Sequence, residues 1–318
     1  MRREHYMKIG ICNSCFRSIE NIEERYLSAR EMGYTAIDLD LGEKWSVGQI
    51  YRNERYGFFD KSLEDIAEYF GRYTHAAKEK GIEVFQAHAP FPTARLGEDE
   101  TNAYTKMAIE KCIKILPDIG CRYLVVHPIC TDKHMSDEEA FELNFDLFKD
   151  FIPTLKQTGT VICIENAYHY FMGRILSISA SNAEFLSKLV DGLNDLAGEE
   201  CFGICYDTGH GNITGKNHYR ELLVYGSRLK TLHIHDTDGV HDTHLIPYTG
   251  RYLDRQATDW EGILKALAKL KYDGCLSFES DSGIMDFPKA VQVAALQLNA
   301  CIGVYFNERI DFYRSQDT

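Results

Sequence analysis

The sequence predicts a single-domain α/β protein, a closed (β/α)8 barrel spanning residues 1–318. Three observations lead there. Eight short apolar stretches alternate with eight stretches of helical periodicity. The apolar stretches lack polar alternation, as strands of a parallel sheet buried on both faces do. The 318 residues also accommodate eight such units with no linker or low-complexity segment between them.

The first unit pairs the strand Lys8–Cys12 with a helix from Ile22 to Met32, stopped by Gly33. A strand from Thr35 to Leu41 precedes a helix from Leu63 to Lys80, and a strand from Ile82 to His88 precedes one from about Asn102 to Ile119. The fourth strand, Tyr123 to His127, is closed by Pro128. Asp137 to Leu155 reads as one helix with Ser136 as its N-cap, despite Pro153 near its end. Strands follow at Val161–Glu165, Phe202–Asp207, Leu229–His235 and Cys275–Glu279, with helices at Asn182–Leu196, Tyr219–Tyr225, Trp260–Leu270 and Phe287–Cys301. Right-handed crossovers bring the carboxyl end of every strand to one rim. The long segments Trp45–Phe59 and Asp238–Asp259 are expected to cover that rim.

Composition narrows the function. A formal net charge of −13 argues against a protein that grips the phosphate backbone of a nucleic acid. No apolar run approaches the length of a membrane span, and no apolar region of a signal peptide follows Met1-Arg2-Arg3. The ten cysteines are scattered, several inside strands (Cys163, Cys205, Cys275), as small buried residues in a reducing cytoplasm would be. Cys12 and Cys15 have C-x-x-C spacing, but with no second pair nearby the simpler reading is packing at a strand end.

The strand ends carry the chemistry. Strand three ends in His88, four in His127, five in Glu165, and six in Asp207 with His210 just beyond. Strand seven ends in His233 and His235, which share a face by alternation, with Asp242 and His244 following, and strand eight ends in Glu279. One buried histidine is usually a satisfied core residue. Six successive strands ending in ligand-type residues need another explanation, because clustered carboxylates must be protonated or neutralised and a divalent cation is the simplest neutraliser. Two glutamates, an aspartate and a histidine form a hard, oxygen-rich set suited to Mn2+, Mg2+ or Co2+, with Zn2+ also admissible. Such an ion can polarise the oxygens of a sugar, and flanking glutamates can move a proton at the carbon beside a carbonyl.

These residues fall in motifs that resemble a known family. His88-Ala89-Pro90-Phe91, Val125-Val126-His127-Pro128, Ile164-Glu165-Asn166 and Asp207-Thr208-Gly209-His210 come first. His233-Ile234-His235-Asp236, Asp242-Thr243-His244, Asp259-Trp260 and Ser277-Phe278-Glu279 continue the series. Together they resemble the xylose isomerase-like TIM barrels, a group of sugar and sugar-phosphate isomerases and epimerases that also includes endonuclease IV. The resemblance implies one divalent metal ion, Mn2+ first, held by Glu165, Asp207, His233 and Glu279, with His235 the rival of His233. It implies that Glu165 and Glu279 exchange the proton, and that His88, His127, His210, His235, Asp242 and His244 meet the substrate. The chain departs from some ketose epimerases in two places. Asn166–Phe171 lacks their extra glutamate, and the stretch after His233 lacks their arginine up to Val240.

The expected function is therefore that of a sugar or sugar-phosphate isomerase or epimerase working through a metal-stabilised enediolate. A lyase or dehydratase acting on an inosose or a 3-oxo-glycoside would use the same proton abstraction. An endonuclease IV-type phosphodiesterase would need extra zinc ions, for which His88, His127, His210, Asp242 and His244 stand available. The expected partner is a small sugar, with no nucleic acid and no membrane, in a cytoplasmic protein with homo-oligomerisation left open. Arg251 could meet a substrate phosphate from its loop, against the reading of a solvated arginine.

Overall fold

The computed structural model describes residues 6–54, 57–130, 135–250 and 258–316, so Arg251 lies outside the described residues. Eight parallel strands run in chain order around a barrel: β1 (Lys8–Cys12), β2 (Ala36–Asp40), β3 (Glu83–His88), β4 (Tyr123–Val126), β5 (Val161–Glu165), β6 (Phe202–Asp207), β7 (Leu229–His233) and β8 (Cys275–Phe278). The ring closes between β7 and β8 through a single bridge, Ile234 to Phe278. There Ile234 donates to the carbonyl of Ser277 at 2.8 Å, and Glu279 donates to that of Ile234 at 3.0 Å.

Alternation places Val161, Cys163 and Glu165 on one face of β5. Val125, Val161, Cys163 and Cys205 form a small cluster apart from the main core, in which the outward strand residues meet the helices. Small side chains at these inward positions leave the upper barrel open for polar groups at the strand ends. Gly10 belongs to this interior: a Cβ there would come within 2.6 Å of Cys275 Sγ. Cys12 and Cys15 are free and buried, and burial holds both thiols well above their ordinary pKa, in keeping with packing.

The expected helices form with their caps. Asn21 accepts from the amide of Glu24 at the start of Ile22–Met32, and Gly33 ends that helix at φ 104°. Two expectations are corrected. The stretch from Asp137 is two helices, Asp137–Lys149 and Ile152–Thr158. Pro153 has no N–H to offer the carbonyl of Lys149, so the first helix stops there and the proline sits in the first turn of the next. The final helix runs from Lys289 to Gln316 rather than ending near Cys301, because no glycine or proline interrupts it after Gly303 and its buried face continues to Ile310.

Segments over the mouth hold further structure. Tyr168–Phe171 pairs antiparallel with Arg174–Ser177, and Met172 and Gly173 between them both have positive φ (49° and 77°), the geometry of a type I′ hairpin turn. A short helix, Val47–Tyr51, lies in the segment before the third strand. Among the described residues no helix is long and apolar enough to cross a membrane.

The cap at Ser136 supplies a stability test. Its side chain accepts from the amide of Glu139, whose carboxylate in turn accepts from the amide of Ser136. Ser136→Ala is expected to lower unfolding free energy by about 1 kcal/mol, read from urea denaturation.

Candidate functional site

Every strand-end residue singled out in the sequence is brought to the mouth of the barrel. Glu165 ends β5 and is 1% exposed; Asp207 ends β6 and is fully buried; His233 ends β7 at 1%. His233 is the hub. Its Nδ1 lies 2.8 Å from Glu165 Oε1, 3.1 Å from Glu279 Oε2 and 4.0 Å from Asp207 Oδ2. One donor atom from each of Glu165, Asp207, His233 and Glu279 lies within 4.8 Å of the other three. Ligands around a divalent cation at ~2.1 Å sit up to ~4.2 Å apart, so a few tenths of an ångström of movement would fit the set to an ion.

His235 occupies a different place from His233. It is fully buried behind Asp207, with Nε2 2.9 Å from Asp207 Oδ2 and its ring stacked on His244 at 4.2 Å. Its ring also explains the glycine of Asp207-Thr208-Gly209-His210. A Cβ on Gly209 would lie 2.0 Å from His235 Cε1, so the ring and a side chain cannot share that space. Asp207 caps the short helix Thr208–Ile213 by accepting from the amide of His210 at 2.6 Å, which fixes its other oxygen toward His235.

A second grouping shares Glu165. His127 Nε2 approaches Glu165 Oε2 to 2.9 Å and His88 Nε2 to 3.6 Å. Glu165 Oε2 is nonetheless buried with no aligned hydrogen-bond donor. A buried carboxylate oxygen faced by two imidazole nitrogens is a place a cation could share with them, so the donor set fits a metal. On the far side, His210 Nε2 and His244 Nε2 each lie 3.3 Å from Asp242 Oδ2. The His244 backbone is in the left-handed region at φ 45°, unusual for histidine and held by its ring contact to the Glu279 carbonyl at 3.0 Å.

The electrostatics separate the two glutamates. Burial pushes Glu165 up, but His233 and His127 overcome it and hold its carboxyl well below the usual range. Burial also pushes Glu279 up, and there Glu165 and Asp207 add to it, so its pKa stays raised against the pull of His233 and His244. Burial opposes charge on His88 and His210 as well, yet their carboxylate neighbours raise them to about 9 and about 10. His127, more subject to burial than to Glu165, is lowered. These groups line a pocket of about 520 Å³ whose outer wall is Tyr51, Phe91, Tyr168 and Tyr170.

Two residues escaped the sequence reading. Asp38 Oδ2 lies 2.9 Å from His233 Nε2 and also accepts from Gln86 Nε2 at 2.8 Å. Asp38 at Nε2 fixes the ring so that Nδ1 faces Glu165 and Glu279, the position from which it could share a cation with them. The available signal was an aspartate and a glutamine at inward positions of otherwise buried strands. Asn166, quoted above only as part of a motif, clamps two strands. Its side chain accepts from the amide of Asp207 at 2.6 Å and donates to the Asp207 carbonyl at 3.0 Å.

Fold and strand-end residues together define a barrel with a His/Glu/Asp cluster at its mouth that could hold a metal, and comparison with known proteins gives the family. The chain belongs to the xylose isomerase-like TIM barrel family, whose profile matches residues 27–298. It is 31% identical over 169 residues to the uncharacterized protein y4fM of Sinorhizobium fredii, a match covering 53% of this chain and 50% of that one. Among solved structures it resembles D-psicose 3-epimerase from Clostridium cellulolyticum with D-tagatose (TM-score 0.68, 15% identity, 95% of this chain and 99% of that one). It also resembles 3-keto-D-glucoside 4-epimerase YcjR from E. coli (TM-score 0.64, 18% identity, 94% and 99%) and the IolI protein with bound zinc (TM-score 0.65, 17% identity, 96% and 99%). At these identities the likeness is one of fold.

Burial opposes charge on His233, yet Cys205, Glu279 and Glu165 hold it well above the ordinary imidazole value, which generates a prediction for a metal it would ligate. An imidazolium must lose its proton before it can ligate a metal, so raised pKa values mean stronger proton competition at low pH. Affinity for Mn2+ is expected to climb between about pH 6 and 9, with protons released on binding. Calorimetry in buffers of different ionisation enthalpy measures this release; affinity flat across that range would contradict it.

Proposed function

We propose that the chain is a divalent-metal-dependent sugar isomerase or 3-epimerase acting on a ketose or ketose-like sugar derivative. The observation that carries this reading is the glutamate pair beside His233, with Glu165 held ionised and Glu279 raised. Two titratable groups driven apart by their surroundings divide naturally into a base and an acid. The D-psicose and 3-keto-D-glucoside epimerases that share the fold give this reading its substrate class.

Glu165, Asp207, His233 and Glu279 would hold the cation, Mn2+ first. Bound there, it supplies Lewis acidity that makes the C–H beside a sugar carbonyl more acidic. Glu165 acts as base and takes that proton, leaving an enediolate, and Glu279 acts as acid and delivers one to the opposite face; in reverse the roles exchange. His88, His127, His210, Asp242 and His244 face the pocket and bind sugar oxygens. His235 acts through Asp207. Asp38 is a positioning residue for His233. Among the described lining residues, Arg95 is the sole Lys or Arg, and its guanidinium is bound to the carbonyls of Ile50 and Tyr51. This supports an unphosphorylated sugar. Free, buried cysteines fit a cytoplasmic setting.

The test is a panel of ketoses, sugar phosphates and oxidised glycosides incubated with Mn2+ in D2O. Deuterium at the carbon beside the carbonyl of recovered sugar is expected, and its absence across the panel would overturn the reading. A released leaving group or a new ultraviolet enone would indicate the lyase instead. Glu279→Gln is expected to abolish turnover with metal retained, since it removes the proton carrier and keeps an oxygen donor.

A second reading rests on Glu165 Oε2 facing His88 and His127. A carboxylate shared between two groupings suits a two-cation centre, which belongs with phosphodiester hydrolysis. Metal analysis after saturation with Mn2+ or Zn2+ separates the two: about one ion per chain is expected for the isomerase, and two or three with DNA cleavage would favour the hydrolase.

A further inference from the structure

The helix Lys289–Gln316 buries Leu296, Ala300, Gly303, Phe306 and Ile310 against the barrel and its neighbours. A helix covering a single domain turns a polar face to water on its other side. This one does not. Val291, Leu298, Tyr305 and Phe312 are 42%, 48%, 41% and 48% exposed, and each follows the last by seven residues. Ala294 and Cys301, also exposed, fill the steps of three and four as far as Tyr305, and Glu308 takes the step between Tyr305 and Phe312. Alternating spacings of three and four describe the a and d positions of a coiled-coil seam. At ~100° per residue the six side chains other than Glu308 fall within an arc of ~80°. Glu308 and Gln297 lie at the edge of the stripe rather than in its middle.

We propose that this stripe is a homodimer interface, on which the same helix of a second copy packs antiparallel about a two-fold axis near Cys301. Three features favour a second copy. With the axis between Cys301 and Ile302, Leu298 lies opposite Tyr305 of the other copy and Val291 opposite Phe312, so each layer sets an aliphatic side chain against an aromatic one. A parallel pairing in register would set aromatic on aromatic and valine on valine, leaving the layers unequal in width. The stripe with its neighbours Phe287 and Tyr248, 44% and 52% exposed, presents roughly 700 Å² of apolar surface, near the ~800 Å² per partner of a standard interface. Finally, between two chains of formal net charge −13, contact through Leu298, Cys301 and Tyr305, the uncharged middle of the stripe, meets the least repulsion, with Glu308 and Arg309 confined to its end.

The test uses the full chain at about 50 µM, a concentration at which an interface of this size is populated. Light scattering after size exclusion is expected to give twice the 36.4 kDa chain mass, and the double variant Leu298→Glu, Tyr305→Glu is expected to halve it with an unchanged circular dichroism spectrum. A monomeric parent, or a dimer that survives the double substitution, overturns the proposal. A second measurement does not depend on that variant folding. Cys301 is the one exposed cysteine, so a short bismaleimide is expected to cross-link the parent and leave Cys301→Ser monomeric on a denaturing gel. A dimeric parent that yields no Cys301-dependent cross-link overturns the antiparallel arrangement.

Discussion

A fully buried carboxylate must be neutralised where it stands, and the upper half of this barrel is built around that requirement. Glu165 ends β5 with almost no access to water, and Asp207 ends β6 with none. The low dielectric that makes such charges costly also makes each imidazole facing them count for more. His233, His127 and His88 therefore converge on Glu165, while His235 and the amide of His210 hold Asp207. Replacing a buried ionic cluster by apolar residues of similar volume is often neutral or stabilising. The retention of so many titratable groups in one layer is thus a matter of chemistry more than of stability, and the rest of the barrel supplies the rigidity to hold them.

The strands and their ends were readable from the sequence because two signals coincide there. A run of apolar residues buried on both faces stands out against amphipathic helices, and a polar residue at its carboxyl end has one place to go in a parallel barrel. Glu165, Asp207, His233 and Glu279 were found together on that logic and on a family resemblance. Asp38 and Gln86 were not, since a single polar residue inside a strand gives no hint of its partner, and Asp38 meets His233 across 195 positions of chain. The break at Pro153 was visible but underweighted. The extra length of the final helix was obscured because both its faces are apolar, which blurs the periodicity used to mark an end.

The covering segments were the least readable part. The hairpin Tyr168–Ser177 turns on Met172-Gly173, where Met is forced to a positive φ that its side chain disfavours, so no Asn-Gly or Asp-Gly pair announced it. Asp236 ties down the segment after β7 at several points. It accepts from the amide of Tyr248 and from the hydroxyl of Thr258, and pairs through its backbone with Leu245. The strand-end carboxylates and histidines thus sit where local signals are strong, while the walls of the pocket are set by contacts far apart in sequence.

The seam between β7 and β8 joins these themes. Seven of the eight strand junctions are ladders of three or more residue pairs, two of them with a register shift, whereas this one rests on a lone bridge with Glu279 supplying one of its two amide donors. The residue that completes the carboxylate pair is therefore also the fastener of the ring. An ion shared by His233 and Glu279 would lash the last two strands of the ring together at its thinnest joint, giving the occupied protein a tighter cylinder than the bare one.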